Sequence, residues 1–310
     1  MAWTINDIPD LGGRIAVITG ANSGLGYEAS RELARKGAKV VMAVRNLEKG
    51  RAAADRITAE IPGADLELRT LDLGSLESVR AFAALMREDH DHVDILLNNA
   101  GLMATPAGQT ADGFETQVGT NHLGHFVLTG ELMPALEAAP AARVVTMTSV
   151  ARTQGQTLDE RKTRLNDDYR PWQAYSDSKL ANYQFGIELA RRLEAADSSV
   201  SSLVAHPGLS HTNLQVATVE NAGTGISGRF WQLAARYVGM KPLDGALPVL
   251  RAATDPEARN GQVYGPRWNF RGAPVEISLE ERRVAGADTE RMWRISGSQT
   301  GTVFGLGHQD

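Results

Sequence analysis

Six short apolar runs, each separated from the next by a helix-length segment, constrain this chain more than any other feature. They are RIAVITG (14–20), KVVMAVR (39–45), DLELRTLDL (65–73), VDILLNNAG (93–101), ARVVTMTS (142–149) and VSSLVAHPG (200–208). All are rich in Val, Ile and Leu and bounded by Gly, Asp or Ser, which predicts buried strands. Between them the pattern is helical. In GLGYEASRELARKG, for example, Leu25, Ala29 and Leu33 fall four apart and Gly37 can close the helix. Strand–helix alternation implies right-handed crossovers, and so a doubly wound parallel sheet with helices on both faces. GQVYGP (261–266) supplies a short seventh strand. The expected architecture is a single α/β domain built on a mostly parallel, seven-stranded sheet.

Two stretches interrupt the alternation. Residues 151–171 are polar and lack a clear period, which predicts a long surface loop. Residues 209–241 mix small polar residues with Phe230, Trp231, Leu233, Tyr237, Val238 and Met240, enough apolar surface to need a partner. A substrate lid over the site is the expected role, with packing of these aromatics on the core as the alternative. Arg229 and Arg236 among these aromatics leave a peripheral membrane contact open for 226–240.

Composition removes whole classes of chemistry. The chain has no cysteine, which excludes disulfides, thiolate nucleophiles, Cys-bound zinc and iron–sulfur clusters. A formal charge of −5 with no basic cluster argues against a nucleic-acid surface. Asp7 and Asp10 stand where a signal peptide would need an apolar run, and no stretch is long and apolar enough to span a membrane. A cytoplasmic protein is expected.

The first strand runs into TGANSGLG, with Gly20, Gly24 and Gly26. Glycine there lets the backbone turn sharply and approach a pyrophosphate held at the following helix N-terminus. The second strand ends Ala43-Val44-Arg45-Asn46. No carboxylate is present to repel the 2′-phosphate of NADP, and Arg45 is placed to pair with it. NADP(H) is therefore expected over NAD(H).

Ser149 closes the fifth strand, and Tyr175 precedes Lys179 by four residues in AYSDSK, one helical turn apart. Topology brings these groups to the crevice at the strands' carboxyl ends. A free phenol, with a pKa of about 10, is a poor acid near neutrality. A unit charge about 4 Å away is worth about 4 kcal/mol at an effective dielectric of about 20. That would lower the phenol by roughly three pH units, so Lys179 is expected to tune Tyr175 wherever the site is shielded from water. Lysine is otherwise scarce: Lys36, Lys39, Lys49, Lys162 and Lys241 complete the set.

Taken together, TGANSGLG (19–26), AVRN (43–46), DL (72–73), NNAG (98–101), TNHLGHF (120–126), TSVA (148–151), AYSDSKLAN (174–182) and HPGLSHT (206–212) resemble the short-chain dehydrogenase/reductase superfamily. Within it the chain is most similar to the retinol-dehydrogenase-like and protochlorophyllide-reductase-like group, over about residues 15–210. The resemblance implies a Rossmann-type fold and an Asn121–Ser149–Tyr175–Lys179 tetrad. Tyr175 would be the general acid in carbonyl reduction and the base in alcohol oxidation, and Ser149 would hold the substrate oxygen. Lys179 would bind the nicotinamide ribose beside Tyr175, and Asn121 would anchor a water leading to Lys179.

For the cofactor, the resemblance assigns the pyrophosphate turn to Gly20, Asn22, Ser23, Gly24, Leu25 and Gly26. Arg45 and Asn46 follow at the adenosine end, with Asp72 and Leu73 at the adenine. Asn98, Asn99, Ala100 and Gly101 line the ribose, and Pro207, Gly208, Leu209 and Thr212 flank the nicotinamide amide. It also explains a long segment between Ser149 and Tyr175, and it implies a homodimer or homotetramer paired through about 112–137 and 172–195. Two departures bear on substrate. No hydrophobic anchor of the kind frequent in animal retinol dehydrogenases is expected, which argues against a membrane-dissolved retinoid, and the missing cysteines exclude light-dependent protochlorophyllide reduction.

The expected activity is hydride exchange between NADP(H) and a small hydrophobic aldehyde, ketone or alcohol. A non-catalytic NADPH sensor or scaffold is the alternative, against which all four tetrad residues stand. His122, His125 and His206 read as structural, and no metal is expected, because a nicotinamide carries the difficult chemistry.

Overall fold

Side-chain alternation along the strands decides the layering. In the computed structural model, which describes residues 2–208 and 240–306, eight strands form one sheet. These are β1 (Ile15–Thr19), β2 (Lys39–Val44), β3 (Leu66–Thr70), β4 (Ile95–Asn98), β5 (Arg143–Met147), β6 (Ser201–Ala205), β7 (Val263–Pro266) and β8 (Pro274–Ile277). Their order is β3-β2-β1-β4-β5-β6-β7-β8, parallel up to β7 and antiparallel between β7 and β8. On β1, Val17 enters one core while Ala16 and Ile18 enter the other. β4 repeats this with Leu96 against Ile95 and Leu97. Both faces are apolar, as a parallel sheet covered on two sides requires.

One face is covered by α1 (Gly24–Arg35), α2 (Leu47–Glu60) and α7 (Pro242–Thr254), through Leu33, Ile57 and Leu250 among others. The other carries α3 (Leu76–Asp89), α5 (Gly124–Glu137) and α6 (Pro171–Ala195), through Phe82, Phe126 and Phe185. Pro171 occupies the first position of α6, where its missing N–H has no intrahelical partner to lose. A single turn, α4 (Thr116–Val118), enters α5 through a π-helical turn at Gly119–Leu123. β1 pairs with β2 on one side and β4 on the other. The chain therefore reverses its winding there, opening the crevice at the carboxyl ends of β1 and β4.

The expected strands are present, trimmed at their ends. The unexpected β8 adds an antiparallel edge, its Pro274 opposite Pro266 where no ladder N–H is needed. The polar stretch 151–171 is more deeply held than a surface loop: Leu158 and Thr163 are fully buried and Arg152 nearly so. Leu209, Thr212 and the expected lid at 209–241, apart from Met240 and Lys241, lie outside the described residues.

The C-terminal part packs where subunit pairing was expected. Helix α8 (Gly286–Thr300) lies along α6, with Trp293 stacked 5.8 Å from Phe185. Phe304 follows onto α5, 5.0 Å from Phe126, and a Cβ on Gly130 would meet Thr302 at 2.7 Å. The outer faces of α5 and α6 are thus partly covered from within the chain. Among the described residues no helix is long and apolar enough to cross a membrane.

Candidate active site

At the crevice's first end, β1 stops at Gly20, whose φ of +67° only glycine adopts without strain. Ser23 is extended and leaves its hydroxyl out of the cap of α1, whose first turn holds no acidic residue. The opening N–H groups of α1 are therefore free for an anion. Gly26 shows why the third glycine is needed: a Cβ there would strike the Gly20 carbonyl and stand 2.6 Å from the Asn99 side-chain amide. These residues fit a pyrophosphate cradle. Asn22 is half-buried beside the turn, while the Leu25 side chain belongs to the core, leaving only its backbone for a ligand.

Arg45 is exposed at the end of β2 and has no ion-pair partner among the described residues. Asn46 caps α2, its Oδ1 accepting from Lys49 N at 2.8 Å. One oxygen of Asp72 accepts from Gly74 N at 2.9 Å, and Leu73 is buried. Asn98 turns inward, donating to Thr129 Oγ1 at 2.9 Å, so its side chain steadies the end of β4 rather than facing the crevice. Asn99 donates to the Thr19 carbonyl at 2.8 Å, and the Asn99 and Ala100 backbone N–H groups both donate to Thr19 Oγ1 at 2.9 Å.

At the other end the four expected catalytic residues converge. Ser149 lies two residues beyond β5, its hydroxyl accepting from Ala151 N–H at 3.2 Å and close enough to the Tyr175 phenol to lower its pKa. Lys179 Nζ sits 5.9 Å from the centre of the Tyr175 ring and 3.5 Å from the Met147 carbonyl. Gly101 makes room for it: a Cβ there would stand 3.2 Å from both Lys179 Nζ and Asn121 Oδ1. Asn121 clasps Leu102, accepting from its N–H at 2.6 Å and donating to its carbonyl at 2.9 Å. Its Nδ2 also meets Ser178 Oγ at 3.0 Å, and Ser178 Oγ donates to the Tyr175 carbonyl at 2.7 Å.

The electrostatics differ from the simple charge estimate. Burial pushes the Tyr175 phenol above its usual range, opposed by the nearby Ser149 hydroxyl. The Lys179 ammonium, desolvated and without a carboxylate partner among the described residues, is pushed down to about 8. Desolvation of both groups outweighs the attraction that proximity alone suggested. At neutral pH the site therefore holds a protonated phenol beside an ammonium close to releasing its proton.

Pro207 and Gly208 follow β6 at the same end of the sheet. Gly208 has φ +67°, and a Cβ would enter the Phe270 carbonyl at 2.6 Å. Its N–H donates to His206 Nδ1 at 3.3 Å. His122 is buried between Asn182 and Ser296. Among the described residues no group of three or more His, Asp or Glu side chains could hold a metal ion. Sequence reasoning missed Thr19, read His125 only as structural and passed over Ser178. The available signal was a hydroxyl residue before the Gly-rich turn and a His four residues after Asn121.

Residues 14–223 match the model of the short chain dehydrogenase family. The chain is a short-chain dehydrogenase. Among its relatives, human retinol dehydrogenase 12 is 37% identical over 278 residues, covering 84% of this chain and 85% of that protein. Human retinol dehydrogenase 13 is 42% identical over 202 residues, 65% of this chain, and the match spans 60% of that protein's length. A crystal structure of an uncharacterized protein from Mycobacterium paratuberculosis superposes with a TM-score of 0.80 at 40% identity, covering 99% of this chain and all of that one. This short-chain dehydrogenase thus belongs with the retinol-dehydrogenase-like group, and its fold implies a nicotinamide cofactor.

Proposed function

We propose that the protein is an NADP(H)-dependent oxidoreductase that interconverts a hydrophobic aldehyde or ketone and its alcohol, with Tyr175 as the proton donor and acceptor. The observation that carries this reading is the convergence of Ser149, Tyr175 and Lys179 at the crevice that the glycine cradle opens.

When bound, the cofactor would supply the hydride, held by the α1 N-terminus at its pyrophosphate, Arg45 at a 2′-phosphate and Lys179 at the nicotinamide ribose. The protein's own residues manage the proton. Ser149 positions the substrate oxygen beside the Tyr175 hydroxyl. That phenol stays protonated at neutral pH because burial raises it, so it is ready to donate as negative charge grows on the oxygen. The tyrosinate then left is stabilised by the Lys179 ammonium, whose electrostatic effect is strong in a dry site. Ser149 donates to whichever oxygen carries the charge. In alcohol oxidation the same atoms act in reverse. Trp172, ring edge to face with Tyr175 at 6.1 Å, offers apolar surface on the substrate side, and the retinol dehydrogenase relatives suggest a nonpolar substrate.

The test is consumption of NADPH, with NADH alongside, across medium-chain, aromatic, retinoid and steroid carbonyls. Turnover confined to hydrophobic carbonyls and favouring NADPH is expected. Tight NADPH binding without turnover of any of them would favour the sensor.

A further inference from the structure

His125 is fully buried, yet both of its ring nitrogens are engaged. Nδ1 lies 2.9 Å from the backbone carbonyl oxygen of Asn121, the residue whose side-chain amide clasps Leu102. A carbonyl can only accept, so Nδ1 carries the proton and Nε2 is left as an acceptor. Thr19 Oγ1 stands 2.9 Å from Nε2 and supplies the matching donor, against 3.2 Å to its alternative, the Leu97 carbonyl. The same Thr19 oxygen accepts the N–H groups of Asn99 and Ala100. All of its hydrogen-bonding positions are then in use, and every proton in the chain has one direction.

The elements joined by this chain are not otherwise neighbours in sequence. Thr19 ends β1 immediately before the pyrophosphate turn, while Asn99 and Ala100 follow β4 on the cofactor floor. Asn121 sits in the π-helical turn and reaches Leu102 and Ser178. A π turn shifts the helix register at this point, and the His125 side chain folds back onto the Asn121 carbonyl one turn earlier. Burial and the nearby Lys179 push the imidazole down to about 3, so it keeps one neutral tautomer.

We propose that His125 is a positioning residue that locks the Asn121 peptide to the Thr19–Ala100 floor, coupling the cofactor end of the crevice to the Tyr175–Lys179 centre. This rests on the function proposed above and extends it to a residue that touches neither cofactor nor substrate.

The test uses the full-length wild type with His125→Leu, His125→Asn and Thr19→Val. In the cofactor-free wild type, nitrogen-15 imidazole spectra are expected to show Nδ1–H and no titration near pH ~6.5. The opposite tautomer, or a ring that titrates there, overturns the lock. With an accepted carbonyl, His125→Leu is expected to lower kcat by about tenfold, the scale of one buried hydrogen bond, with the carbonyl KM within about twofold. His125→Asn, which keeps a donor for the carbonyl, recovers most of kcat. A packing role alone would not give that rescue. Thr19→Val, alone or added to His125→Leu, costs more than His125→Leu, because it also takes the acceptor from the Asn99 and Ala100 N–H groups; a smaller loss overturns the lock. Unchanged kcat in folded His125→Leu overturns the inference and leaves the function standing. If the wild type turns over no carbonyl, the function falls by itself, and amide exchange decides the lock. Faster exchange at Ala100 and Leu102 in His125→Leu supports it, and unchanged exchange refutes it.

Discussion

Replacing Lys179 by Met should stabilise the cofactor-free protein while removing its activity. Lys179 is 6% exposed, has no carboxylate partner among the described residues, and is pushed down to about 8 from 10.5. At about 1.4 kcal/mol per pH unit, holding the ammonium in that site costs about 3 kcal/mol. The sign follows from proton counting. Between the folded value of about 8 and the unfolded value of 10.5, the unfolded chain binds more protons, so stability rises with pH. Below pH ~8 both states are charged and the full cost applies. Urea unfolding of wild type and Lys179→Met should therefore differ by about 3 kcal/mol near pH ~7, in favour of Met, and by less than about 1 kcal/mol near pH ~10. The methionine keeps the apolar stem, so packing is nearly conserved. A variant less stable at neutral pH, or a gap that does not narrow with pH, would show that the site does not desolvate the ammonium as described. Strain of this kind is characteristic of functional centres, where stability and activity pull apart.

Three further outcomes follow from the geometry. Gly26→Ala places a methyl group against the Gly20 carbonyl and Asn99 amide, and NADPH fluorescence titration should show affinity reduced by at least about tenfold; unchanged binding would remove the cradle. Arg45→Ala should weaken NADPH by about 10- to 100-fold, the range of a lost charge-assisted hydrogen bond, with NADH within about twofold; equal losses for both would exclude a 2′-phosphate role. Glu280→Ala strands the buried Arg152 guanidinium, which meets Glu280 at 2.6 Å beneath Ser149. It should cost about 3 kcal/mol in denaturant unfolding, more than Arg152→Met, and the reverse ranking would contradict that assignment.

The sheet was legible because parallel strands buried on both faces leave near-continuous apolar runs, and β1, β2, β4 and β5 are such runs. β8 was not: four residues beginning with Pro274, on an edge, carry no periodic signal. Helix α8 was hidden because its buried face is discontinuous, with Met292 and Ile295 set among Ser296 and Gly297. Residues 151–171 looked like surface because polar residues dominate, yet Arg152 is buried by a partner 128 residues away, a contact that no local pattern announces.

The tetrad and glycine turn were legible for a different reason. Their chemistry demands particular residue types at particular spacings, and Tyr175, Lys179 and Ser149 converge as topology requires. What spacing could not supply was the balance of forces. Four residues on a helix place Lys179 beside Tyr175, but only the packing shows that both are desolvated and both shifted against their charged forms. Thr19 and His125 were invisible as a pair, since their bond joins residues 106 apart.

The central claim is that Tyr175 moves the proton, and it is tested most directly by Tyr175→Phe, assayed for both NADPH binding and carbonyl turnover. The substitution removes one hydroxyl and leaves the glycine cradle, Arg45 and Lys179 in place. The account predicts NADPH affinity within about twofold of wild type and turnover lower by at least about a thousandfold. Turnover within about tenfold of wild type, with the cofactor still bound, would contradict it and move the proton donor to another group.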